Sequence, residues 1–105
     1  MAVYPNASMT SYFPSETPSE TYPCNVRIDG AVIVITYRAN DGSITIYNGR
    51  ETGIGHYKLT MEINGLAKGR ATLHRLNDDE DLLEGSWYEE GQRGMWEIDL
   101  NREDD

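Results

Sequence analysis

The chain has 105 residues, 38% of them hydrophobic, with a single cysteine and a formal net charge of −9. That length holds one domain with one modest core, and it excludes a second. The longest apolar run, residues 31–35, suits one buried strand and is far too short to span a membrane as a helix, while the lone Cys24 excludes an internal disulfide.

The charge is uneven. Residues 1–76 carry 6 acids and 7 bases, whereas residues 77–105 carry 12 acids and only Arg93 and Arg102 as bases. Direct binding to nucleic acid or to an anionic membrane is disfavoured, because such surfaces are met by Lys and Arg that displace counterions. A basic protein surface is the partner that this balance admits, and the same acidity also keeps a small domain soluble. No basic patch followed by an apolar stretch opens the chain, so a cytoplasmic location is expected.

In chain order, residues 1–24 contain all four prolines (Pro5, Pro14, Pro18, Pro23) and seven Ser or Thr, with no Lys or Arg. This composition predicts an extended or disordered arm, and some of its aromatics Tyr4, Tyr12, Phe13 and Tyr22 are expected to tack it onto the sheet or to plug one end of a barrel. Residues 25–101 read as seven strands, at 25–29, 32–39, 43–48, 56–63, 69–76, 82–89 and 95–101, and residues 102–105 as an acidic tail. Within the strands apolar and polar residues alternate, as in Tyr57-Lys58-Leu59-Thr60-Met61 and Trp96-Glu97-Ile98-Asp99-Leu100. A period of two gives one buried and one wet face. The expected fold is therefore all-β: an antiparallel up-and-down meander closing into a small barrel or curled sheet.

Turn chemistry sets an expected register. Asp29-Gly30 and Asp41-Gly42 read as two-residue hairpin turns, Gly91-Gln92 as another, and residues 64–68 as a longer loop. Tyr37 then faces Ile46, Ala39 faces Ile44, Met61 faces Ala71, Leu59 faces Leu73, Trp87 faces Trp96 and Gly85 faces Ile98. The inward set is Ile33, Ile35, Tyr37, Ile44, Ile46, Tyr57, Leu59, Met61, Ile63, Ala71, Leu73, Leu83, Trp87, Trp96, Ile98 and Leu100. On the outer face this register lines up Lys58, His74, Glu84 and Asp99.

Two candidate sites follow from the two faces. Inside, Tyr37, Tyr57, Met61, Trp87 and Trp96 offer aromatic walls to a small apolar ligand, or else simply fill the core. Outside, Asp78, Asp79, Glu80, Asp81, Glu84, Glu97 and Asp99 form an acidic surface able to imitate nucleic-acid phosphates and block a basic partner site. Asn77-Asp78-Asp79-Glu80-Asp81 lacks the spacing and central glycine of an EF-hand. Cys24, His56 and His74 lack zinc-ligand spacing. Gly53-Ile54-Gly55 precedes no helix that could cradle phosphate. Asn6-Ala7-Ser8 matches a glycosylation sequon with no secretory signal to support it. A proton-shuttling His74 has no nucleophile beside it, so no catalytic residue and no cofactor are assigned.

Gly85-Ser86-Trp87 and Gly94-Met95-Trp96-Glu97-Ile98, set among meandering strands, resemble fragments of calycin-type barrels such as lipocalins and avidins. Lipocalins carry their Gly-x-Trp near the first strand and have eight strands, whereas here the motif lies near the end and seven strands are read. The resemblance implies a small apolar ligand held inside a barrel. The chain thus reads as a non-catalytic binding module, monomeric or homodimeric, with the acidic inhibitor as the alternative.

Overall fold

Alternation with period two runs further along the chain than the composition suggests. The computed structural model describes residues 2–14, 19–39, 42–77 and 80–101. Among these it contains eight antiparallel strands: β1 (Ala2–Tyr12), β2 (Glu20–Asp29), β3 (Val32–Arg38), β4 (Ile44–Gly53), β5 (His56–Ile63), β6 (Leu66–His74), β7 (Leu82–Glu89) and β8 (Gln92–Asp99). Each strand pairs with the next, and β1 returns to pair with β8 from Ser8–Asp99 to Tyr12–Met95, closing an up-and-down barrel. Closure satisfies both edges of the meander, which would otherwise expose rows of unpaired backbone groups. No helix among the described residues is long and apolar enough to cross a membrane.

The eighth strand comes from the segment read as an arm. Ala7, Met9 and Ser11 point into the barrel, while Ser8 and Thr10 lie on its outer face. The prolines that argued against a strand are absorbed. Pro5 sits where the β1–β2 register shifts between Tyr4 and Ala7. Pro23 lies where β2 runs past the end of its pairing with β3. Both are positions where a missing N–H breaks no ladder on at least one side. Of the inward residues of β1, Ala7 is small and Ser11 polar, which leaves Met9 as the one large apolar side chain and the alternation with little hydrophobic contrast.

Three predicted registers shift, with different consequences. The β5–β6 hairpin turns tightly at Asn64-Gly65, and β7–β8 at Glu90-Gly91; all four residues have positive φ, as a type I′ turn requires. Leu59 therefore faces Ala71 and Tyr57 faces Leu73, while Trp87 faces Gly94 and Gly85 faces Trp96. Both shifts are by two residues, so every side chain except Ile63 at the β5–β6 tip keeps its expected face. The β3–β4 pairing shifts by one: Tyr37 faces Thr45 and Arg38 faces Ile44. A one-residue slip reverses the faces of a strand. Ile44 and Ile46, expected inside, are 54% and 47% exposed, and Tyr47 takes their place at 0%. The connection closes with the Ala39 amide donating to the Ser43 carbonyl at 2.8 Å, wider than a two-residue turn. Asp41 of the predicted turn lies outside the described residues.

The β2–β3 turn falls at Gly30-Ala31, one residue later than expected, with Asp29 paired to Val32. Ile63 is also a correction. It lies beyond a register shift at Met61/Glu62, at the hairpin tip, and is 51% exposed. The apolar run at residues 31–35 is not wholly buried: Ile33 and Ile35 point inward while Val32 is exposed. The rest of the expected inward set lies on the inner face, together with Cys24 and Val26.

Candidate ligand site at the barrel mouth

At one end of the barrel lie the β1–β2, β3–β4, β5–β6 and β7–β8 connections, and there the interior opens into a cavity of about 300 Å³. Tyr37 at the end of β3, Trp87 on β7 and Trp96 on β8 line it, joined by Tyr22 and Phe13. Phe13 stands edge-on to Trp87 with ring centroids 5.5 Å apart, and Tyr22 lies 5.8 Å from Tyr37.

The two tryptophans are held by a reciprocal arrangement. Gly85-Ser86-Trp87 on β7 runs antiparallel to Gly94-Met95-Trp96 on β8, so each Trp faces the other segment's glycine. A side chain at Gly94 would meet the Trp87 ring at 2.7 Å from Cε2. Over Gly85, the Trp96 indole reaches across β7 to donate from Nε1 to the Thr72 carbonyl on β6 at 3.0 Å. Trp87 Nε1 donates to the Met95 carbonyl at 3.2 Å. With both indole N–H groups bound to backbone, the rings present only π and apolar surface to the cavity.

Glu89 is the residue that the sequence reading overlooked. It continues the inward series Leu83, Gly85, Trp87, and its carboxylate accepts a hydrogen bond from the Tyr47 hydroxyl across the barrel. The alternation itself placed it inside, but a carboxylate is not sought on an apolar face. Burial, and then the charge of Glu89, push the Tyr37 phenol up to about 12. Burial and the hydrogen bond to Glu89 push Tyr47 up as well. Both phenols are therefore protonated at neutral pH, and the Tyr47 hydroxyl donates to Glu89. Edge-on beneath this group, Tyr47 meets Trp96 at 5.3 Å. Cys24 is pushed up to about 12 by burial, which leaves its thiol unreactive.

Of the five expected inner-site residues, Tyr37, Trp87 and Trp96 meet at the cavity. Tyr57 and Met61 are buried in the core and line no part of it. Of the acidic set, Asp78 and Asp79 lie outside the described residues. Glu80 and Asp81 lie on the β6–β7 connection at the opposite end, where the Glu80 carbonyl accepts from Arg75 Nε at 2.9 Å. Glu84, Glu97 and Asp99 are all exposed on the outer face, with Glu84 opposite Glu97 rather than Asp99. Asp99 accepts the Asn101 amide at 2.9 Å.

Beside Glu84 is His74, whose other neighbour is His56, not Lys58. The two imidazoles meet Nδ1 to Nδ1 at 2.6 Å, so one of the facing nitrogens carries the shared proton. Among the described residues no three His, Cys, Asp or Glu side chains are grouped closely enough to hold a metal ion. Comparison with protein-family models, with curated proteins and with solved structures returns no match.

Proposed function

We propose that this protein is a non-catalytic binding module that takes a small organic ligand end-on into the barrel mouth. The observation that carries the reading is the cavity of about 300 Å³ flanked by Trp87, Trp96 and Tyr37 with Glu89 turned into it. Aromatic walls suit an apolar or planar body, and a carboxylate among them suits a tip that donates a hydrogen bond or bears positive charge. Kinship with calycin-type barrels belongs to this proposal. It is supported by the paired Gly-x-Trp segments and by an eight-stranded meander that is open at one end.

The test is a titration with benzyltrimethylammonium and with neutral benzyl alcohol, followed by NMR of the two indole N–H resonances. Both signals shift on saturation, Trp96→Leu abolishes binding, and Glu89→Gln weakens the cation alone by about tenfold. Indole signals that remain unmoved by both probes at millimolar concentration would refute the reading.

A second reading draws on the outer face. Glu84 sits directly opposite Glu97 on adjacent strands, a like-charge pairing that costs stability. An acidic surface kept at that cost fits an inhibitor that occupies a basic site on a protein partner by imitating phosphate charge. Neutralising Asp78, Asp79, Glu80 and Asp81 together then abolishes capture of that partner, and raised salt does the same. Capture that survives both treatments rules this reading out.

A further inference from the structure

We propose that the outer surface of β5–β8 carries a second binding site, for a small organic anion with a planar body. On a chain of net charge −9, three cations converge on one exposed face. Lys58, Arg70 and Arg93 all border a groove of about 750 Å³, and no Asp or Glu is among the described residues that line it. The volume falls in the range of sites for small molecules.

Register explains the convergence. Arg70 faces Tyr88, and Tyr88 faces Arg93, so the two guanidinium-bearing residues flank one tyrosine in a single cross-strand row. Strands two apart are separated by about 10 Å, a span that one anionic group with its substituents bridges. The Arg70 guanidinium lies 4.8 Å from the Tyr88 ring centroid, a stacking that holds its plane against the wall. The neighbouring row supplies hydroxyls: Thr72 Oγ1 and Ser86 Oγ lie 3.2 Å apart beside Lys58. Tyr12 and Met95 continue that row and give the body of a ligand an apolar surface.

One row further, Glu84 and Glu97 bring negative charge beside His74. This gradient orients the ligand, with its anionic group between Arg70 and Arg93 and its ring over Met95. Phe13 and Trp87 border both the groove and the mouth cavity, but Glu89 and Tyr37 line no part of the groove, so the polar groups that would hold a ligand differ between the two sites.

The experiment compares anilinonaphthalene sulfonate with phenylnaphthylamine, its near-isostere without the sulfonate, by fluorescence titration on the intact chain. The sulfonate binds at least about tenfold more tightly, the margin expected of charge-assisted hydrogen bonds. Arg70→Gln/Arg93→Gln removes that margin, Lys58→Gln narrows it, and Glu89→Gln leaves it in place. All three cationic side chains are exposed, so a circular dichroism melt of each variant matches the parent. Equal affinity of the two dyes overturns the proposal, as does a margin that survives the double substitution. Amide shifts confined to mouth residues on addition of the sulfonate overturn it equally.

Discussion

Gly85 offers the sharpest test of how the tryptophan pair is built. A methyl group there would lie inside contact distance of the Thr72 carbonyl oxygen, 2.6 Å from the carbonyl carbon and 3.0 Å from Leu73 Cα. All three are backbone atoms of β6, in the middle of a six-pair ladder with β7, so no side chain can swing aside. Overpacking of this kind costs about 1–3 kcal/mol, occasionally more. The Thr72 carbonyl is also the acceptor for Trp96 Nε1, and stranding a buried indole donor adds about 1–3 kcal/mol. Gly85→Ala is therefore expected to lose at least about 2 kcal/mol, against a total stability of roughly 5–15 kcal/mol for a chain this long. In a domain of this size each kcal/mol moves Tm by about 4–8 °C, so Tm falls by at least about 8 °C in a circular dichroism melt. The same variant shifts the Trp96 indole N–H resonance, because the indole can no longer lie across β7. Ser86→Ala, one residue away on the exposed face, stays within about 0.5 kcal/mol of the parent. A Gly85→Ala protein that melts within about 4 °C of the parent with an unmoved Trp96 signal would refute the reasoning.

Three further outcomes follow from the same geometry. Ile46→Lys leaves stability within about 0.5 kcal/mol whereas Tyr47→Ala costs about 3–5 kcal/mol in urea unfolding, a contrast that checks which face of β4 is buried. Alkaline pH destabilises the fold. Burial holds the Cys24 thiol and the Tyr37 phenol protonated up to about 12, while the unfolded chain releases those protons from 9.0 and 10.0 upward. Stability is thus complete below pH 9 and lost between there and pH 12, Cys24 contributing on the order of 4 kcal/mol at most. In denaturant titrations Cys24→Ala flattens the first part of that decline, and an equal decline with and without the thiol contradicts it. Glu84→Lys converts the repulsive pair with Glu97 into an attractive one and raises stability by about 0.2–1 kcal/mol, read as a shift in urea midpoint. A midpoint that falls instead would show that the two carboxylates do not oppose each other.

What the sequence determined by itself is the set of local preferences. Alternation at Tyr57-Lys58-Leu59 and at Trp96-Glu97-Ile98 is enough to assign strands, inner faces and an up-and-down order, because side-chain direction along a strand is a local property. The faces of β5, β6, β7 and β8 survive even where the turns were misplaced, since those registers slipped by two residues. What only the tertiary structure decided is everything that depends on closure and on an odd slip. Whether Ile46 or Tyr47 points inward turns on one residue in the β3–β4 connection. Whether residues 2–12 form a strand turns on β8 being there to pair with them, for Ala7 and Ser11 carry too little hydrophobic contrast to announce it. Glu89 followed the alternation faithfully, but its meaning came from Tyr47 on the far wall, 42 residues away in the chain. The convergence of Lys58, Arg70 and Arg93 likewise exists only once three hairpins are zipped in register, because cross-strand neighbours are set by pairing and not by proximity along the chain.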